Sequence, residues 1–269
     1  MAFRGLTRTV ARDVSRNVDM PVYGVSAFSA NAAAALANIP AATAAEQTLV
    51  AAFVDSCTEW DKIKVCYVFG IATPTGGALR DLKSSEVATP AGSPAPVHSP
   101  GDGYFFDNIA NSMTLPCNPS TLGLADDEHF SLYFYTTLGV SGSRRIFAAD
   151  EVAVSETSMT QAGGAAALRT QFGTGSLGNT TAPQANSHWL AQRNGALAVD
   201  AELWIDGVSP VSTHLGSGVA ADATCVLGNN GANSQTNMGI SVFTLGNYLT
   251  DPAELATAVD TLVVGLQAL

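Results

Sequence analysis

Between Leu203 and Glu254 the sequence is a series of short apolar segments, each closed by turn residues. Leu203-Trp204-Ile205 runs into Asp206-Gly207, and Cys225-Val226-Leu227 into Gly228-Asn229-Asn230. Ile240-Ser241-Val242-Phe243-Thr244-Leu245 ends at Gly246, and Leu249-Thr250 leads into Asp251-Pro252-Ala253-Glu254. Asp206-Gly207 predicts a two-residue hairpin turn, because both central positions of a type I′ turn need positive φ. Asp251 suits a helix N-cap, Pro252 the first helical position, and Glu254 the third residue of a capping box. Strand, strand, strand and capped helix, in that order, point to an antiparallel β-architecture closed by a helix.

The rest of the chain extends this pattern. Short segments at 103–107, 111–115, 130–137, 144–149, 152–156, 165–171, 187–192, 198–206, 223–228 and 238–246 are candidate strands, and their spacing suits an antiparallel sandwich. In Phe130-Ser131-Leu132-Tyr133-Phe134-Tyr135 only Ser131 is clearly polar, so both faces of that strand are expected to be covered. Ala32–Ala37 predicts a short helix ended by Ile39-Pro40. Thr43 and Glu46 form a capping box before a helix running to about Cys57, with Leu49, Val50, Phe53 and Val54 on its apolar face. Cys66-Tyr67-Val68-Phe69 reads as a buried strand, and 84–100, with four prolines, as a loop that can be extended but not a central strand. A last helix spans about 252–266, its stripe formed by Leu255, Val259, Leu262, Val263 and Leu266. The expected division is an arm over 1–42, a helix and linker over 43–100, and the sandwich over 101–269.

Composition narrows the partners. Apolar residues make up 46% of the chain, ample for a core, whereas only 13% are charged, about half the usual share. The net charge of -11 makes duplex DNA or RNA an unfavourable partner for the body of the protein. Positive charge gathers at the start, where Arg4, Arg8, Arg12 and Arg16 recur at helical spacing and predict a basic stripe able to dock on an acidic neighbour. No apolar run is long enough to span a bilayer, and no apolar segment follows the basic start as in a secretory signal. Cys57, Cys66, Cys117 and Cys225 are scattered, without metal-site spacing, and reduced thiols are expected.

Glu59-Trp60-Asp61-Lys62-Ile63-Lys64 stands between a helix and a strand. Later come His188-Trp189-Leu190-Ala191-Gln192-Arg193-Asn194, Trp204-Ile205-Asp206-Gly207, Val226-Leu227-Gly228, Val242-Phe243-Thr244-Leu245-Gly246 and Tyr248-Leu249-Thr250. This ordered set resembles bacteriophage particle and tail proteins with a concanavalin-A-like jelly-roll sandwich. The resemblance covers roughly 43–269 and implies a mainly β, lectin-like sandwich with a leading helix and a closing one. It further implies a virion protein made in a bacterial cytoplasm, tied to other virion proteins by its arm, and homo-oligomeric, with a trimer as the expected state.

Chemistry is sparse. Laminarinase-like glycosidases on this fold carry E-x-D-x-E on one strand, two carboxylates serving as nucleophile and acid. Glu202-Leu203-Trp204-Ile205-Asp206 places Glu202 and Asp206 on one face but has Trp204 at the middle position, and Asp206 is better used as a turn residue. Asp126-Asp127-Glu128-His129 offers oxygen ligands for calcium, but one contiguous run rarely wraps a metal, and a solvated turn is the expected reading. Asp102 and Asp107 carry the same weak suggestion. None of His98, His129, His188 and His214 pairs with another ligand at helical spacing. Asn229, Asn230, Asn233, Gln235 and Asn237 form an amide-rich loop whose first reading is a plain turn and whose second is a site for sugar hydroxyls, with Trp189, Trp204 and Tyr248 as stacking rings.

These readings lead to a non-enzymatic virion protein without cofactor, metal or membrane insertion. A tail fibre or spike contacting host glycan or receptor is the first expectation. A head decoration protein is the alternative, and a polysaccharide-active glycoside hydrolase on the same fold the second.

Overall fold

The computed structural model describes residues 28–107, 111–124, 127–136, 144–151, 155–162, 167–172, 175–179, 184–195, 201–208, 221–228 and 238–269. Two helices open it, α1 (Ala30–Ala37) and α2 (Ala44–Ser56), and α3 (Pro252–Gln267) closes it. Between them lie β1 (Ile63–Val68), β2 (Thr89–Ala91), β3 (Val97–Ser99), β4 (Gly103–Phe106), β5 (Ser112–Leu115), β6 (Asp127–Phe134) and β7 (Arg144–Glu151). The series continues with β8 (Ser155–Ala162), β9 (Ala167–Phe172), β10 (Gly175–Asn179), β11 (Ser187–Asn194), β12 (Ala201–Ile205), β13 (Cys225–Gly228) and β14 (Met238–Gly246).

The strands form two antiparallel sheets, as expected for a sandwich. The first runs β12-β11-β6-β14-β4-β3, with β1 also paired to β14; the second runs β10-β9-β8-β7-β13-β5-β2. β14 is the hub of the first sheet: β6 pairs along one side, while β4 takes Met238–Ile240 and β1 takes Val242–Gly246 on the other. Inward-facing aromatics join the sheets, with the Phe147 ring 5.0 Å from Phe130 and 5.2 Å from Phe243. Strand alternation sends Ser131, Tyr133 and Thr244 to the opposite face. There α3 covers them, and the Tyr133 hydroxyl donates to Asp260 at 3.1 Å. Both faces of β6 from Phe130 to Phe134 are therefore buried, as the apolar character of that segment predicts.

The local signals act as expected at the helix starts. Thr43 and Glu46 form the reciprocal capping box, with the Thr43 N–H donating to Glu46 at 2.7 Å. Asp251 accepts from the Glu254 N–H at 3.1 Å, and all five stripe residues of α3 are buried. Glu254 does not close its box; its carboxylate instead takes the Thr58 hydroxyl at 2.7 Å and the Thr58 N–H. In its place, Glu59 accepts the Asp251 N–H at 2.9 Å. The proline-rich stretch contributes β2 and β3, each at a sheet edge, the place where a sheet tolerates a proline such as Pro90. β10 is a strand that the sequence reading does not contain. One hydrophobic core runs from Ala32 in α1 through both sheets to Leu266 in α3. Cys57, Cys66 and Cys225 lie in it as free thiols, and burial followed by the nearby Glu254 charge pushes the Cys57 thiol up to about 12.

Candidate functional site

β12 is the edge strand beside β11, and its register places Glu202 opposite Gln192 and Trp204 opposite Leu190. Alternation turns Glu202 and Trp204 to the outer face of the first sheet, and both side chains are half-buried there. The Glu202 carboxylate is held in place: its Oε2 accepts from Gln192 Nε2 at 3.0 Å and from Trp204 Nε1 at 2.9 Å. The amide of Gln192 is fixed in turn, its Oε1 accepting the Leu249 N–H at 3.0 Å. Tyr248, half-buried on the loop into α3, stands beside Glu202. Burial first, then the charges of Glu202 and Glu59, raise the Tyr248 phenol, so it stays a donor at neutral pH.

A second carboxylate completes the base of this loop. Glu59 Oε1 takes the Thr250 hydroxyl at 2.6 Å and pairs with Lys62, while Oε2 takes the Thr250 N–H at 2.7 Å. Burial alone would raise Glu59, yet the bonds from Lys62, Thr250 and Asp251 outweigh it and hold the carboxyl at about 2. The loop that carries Tyr248 is thus pinned at Leu249, Thr250 and Asp251 by two separate side chains.

The structure corrects several expectations. Trp189 cannot stack on a ligand: it is 1% exposed, on the inner face opposite Leu132, with Nε1 bonded to Ser187 at 3.1 Å. Asp206 is a turn residue, with φ 50° followed by 70° at Gly207, and its carboxylate accepts the His188 N–H at 2.7 Å. The acidic run is not a solvated turn. Asp127 is exposed and caps the Tyr248 N–H at 2.6 Å. Glu128 and His129 are fully buried, Glu128 against Arg193 at 2.7 Å and His129 with Nδ1 2.5 Å from the Asn247 carbonyl. Asp102 and Asp107 are occupied by Ser99 and Asn111. Among the described residues no three His, Cys, Asp or Glu side chains gather to hold a metal ion. Asn229, Asn230, Asn233, Gln235, Asn237, His214 and the four arginines of the arm, Arg4, Arg8, Arg12 and Arg16, lie outside the described residues. The sequence reading missed Gln192 and gave Glu202 no binding role; the register of β11 on β12 is the signal that joins them.

The sequence matches no protein-family model and no curated protein. The fold is similar to solved structures. One is the Trypanosoma rangeli sialidase in complex with sialic acid, at 9% identity and a TM-score of 0.50, over 77% of this chain and 33% of that one. Another is domain 4 of AbnA, a GH43 extracellular arabinanase from Geobacillus stearothermophilus, in complex with arabinotriose, at 14% identity and 0.52, over 73% and 98%. A third is the receptor-binding domain of the botulinum neurotoxin C/D mosaic serotype, at 14% identity and 0.51, over 76% and 51%. This chain thus spans about a third of the sialidase and half of the neurotoxin domain. None of the three is a phage particle protein. The expectation of a non-enzyme is overturned, because this sandwich occurs within a sialidase and an arabinanase. At these identities the likeness concerns the fold, and the chain is a lectin-like jelly-roll β-sandwich.

Proposed function

We propose that the chain is a glycan-recognising β-sandwich domain that receives sugar on the outer edge of its first sheet, against Glu202, Trp204 and Tyr248. The carrying observation is the fixed carboxylate of Glu202, bonded to Gln192 and Trp204 and flanked by two half-buried aromatic side chains. A carboxylate accepts from sugar hydroxyls, an aromatic face covers the apolar side of a pyranose or furanose, and a pre-set geometry lowers the ordering cost of binding. The sialidase and the arabinanase domain, each solved with a sugar bound, support a glycan as ligand.

A glycan array probed with the full chain tests this reading. Binding that falls at least tenfold in Trp204→Ala and in Glu202→Gln is expected; no binding by the wild type, or binding indifferent to both changes, overturns it. Glu202 also favours a second reading, cleavage of a glycosidic bond with this carboxylate as the acting group. Mass spectrometry of the array sugars after incubation reads it directly: shortened products that vanish in Glu202→Gln support cleavage.

The sequence resemblance supplies a setting, a phage tail fibre or spike, with a head decoration protein as the alternative. Immunogold labelling of particles checks it. Label at the tail supports the first and label over the head the second, while unlabelled particles remove both.

A further inference from the structure

Two cysteines far apart in the sequence meet at one end of the second sheet. β5 ends at Leu115, and the chain then turns back on it, the Cys117 N–H donating to the Leu115 carbonyl at 2.7 Å across Pro116. This turn sets the Cys117 carbonyl against the first residue of β13, where it accepts the Cys225 N–H at 3.0 Å. A direct bond between two backbones leaves their Cα atoms roughly 5–6 Å apart, inside the range that a disulfide spans.

Further bonds hold the two segments together. The Ser120 N–H donates to the Ala221 carbonyl at 3.1 Å, and Asn118 Nδ2 to Asp222 Oδ1 at 2.8 Å. The side chains converge as well. Cys225 is fully buried, Cys117 packs half-buried against the same core, and the two thiols are neighbours. Tyr67 on β1, from the opposing sheet, stands near both sulfurs.

The two thiols differ in access. Cys117 keeps part of its surface in solvent, whereas burial, followed by the neighbouring Cys117, raises the Cys225 thiol. Thiol–disulfide exchange needs a reachable thiol to begin it and a second sulfur close by to finish it, and this pair supplies one of each. Cys57 and Cys66 are both buried and give a reagent no such entry.

We propose that Cys117 and Cys225 are an oxidisable pair that closes into a disulfide when the protein meets a small-molecule disulfide such as oxidised glutathione. The Cys117 thiol loses its proton to solvent, and the thiolate attacks one sulfur of the small disulfide, expelling the other half as a thiolate. The Cys225 thiol then gives up its proton and attacks the Cys117 sulfur, expelling the second half. Two cysteines are oxidised to one disulfide, and the small disulfide is reduced to two thiols. The burial of Cys225 makes the second step the slow one. The bond fastens the end of β5 to the start of β13; it stays open where thiols are kept reduced and closes in an oxidising medium.

Incubating the full chain, reduced beforehand, with oxidised glutathione tests this, read by intact mass and by peptide mapping without reduction. The expected result is a mass loss of about 2 Da, for two hydrogens, and one linked peptide pair holding Cys117 and Cys225. The urea midpoint rises with the bond and returns on reduction. In Cys225→Ser the exchange halts with one glutathione on Cys117, and in Cys117→Ser no bond forms. Three results in the wild type each overturn the proposal: all thiols still free, glutathione left on Cys117 as the end product, or a linked pair containing Cys57 or Cys66.

Discussion

Arg193 and Glu128 form an ion pair 2.7 Å apart with side chains 2% and 0% exposed, inside the sandwich. They face each other because β11 and β6 pair Arg193 with Glu128, two residues beyond the apolar pair Ala191 and Phe130 on the same inner face. Thr157 of the second sheet adds its hydroxyl to Glu128 at 3.4 Å. A buried pair stabilises little against an apolar substitute, but removing one partner strands a charge at a cost of about 3–5 kcal/mol. Glu128→Ala or Arg193→Ala should lower the unfolding free energy by about that amount, and the double change E128L/R193M by less than either single change. Urea unfolding of the four proteins measures this; single variants within about 0.5 kcal/mol of the wild type would exclude the pair as a structural clamp. The sequence hid the pair: Glu128 stands in a run of charges that reads as solvated, and its partner lies far along the chain. Trp189 misled in the opposite direction, since nothing local says which face of β11 turns inward.

The start of α3 shows which element-level signals are local. Asp251, Pro252 and the apolar stripe predict the helix and its first residue, because capping is settled within one turn. Glu254 and Glu59 are settled by segments nearly two hundred residues apart, so their partners could not be read from spacing. The strands were legible where apolar runs meet turn residues, as at Asp206-Gly207, and illegible where small residues make an edge, as in β10. The candidate binding site divides the same way: Trp204 and Tyr248 stand out as rings, whereas Gln192 matters only through the β11–β12 register. Asp251→Ala should cost about 1 kcal/mol and lower the Tm by about 2–4 °C, measured by thermal unfolding. An unchanged Tm would mean that the Glu59 bonds to Thr250 and Asp251 hold the helix start without the cap.

At the scale of the whole molecule, two buried histidines and the Glu59 carboxyl make the described fold sensitive to acid. Burial holds His129 down to about 4, against weaker opposing bonds, and burial plus the neighbouring His129 holds His188 down to about 3. The unfolded chain binds these protons near pH 6.5 and the folded one does not, so stability should be full above that pH and decline as pH falls toward 3. Glu59 adds a second window: its stabilisation is full above the ordinary 4.5 and lost as pH falls through about 2. Urea midpoints measured across pH 2–8 should be flat at the top, fall below about 6.5, and fall faster below about 4.5, with Glu59→Gln removing the extra steepness. A midpoint that rises on acidification would contradict neutral buried histidines. β14, finally, joins β1, β4 and β6, yet follows all three in sequence. On a ribosome those three strands emerge long before the strand that unites them, leaving apolar edges open until it is made. Assembly of the first sheet therefore waits for β14 to be made, and a chain truncated before Met238 would be a substrate for chaperones and proteases instead of a smaller folded domain.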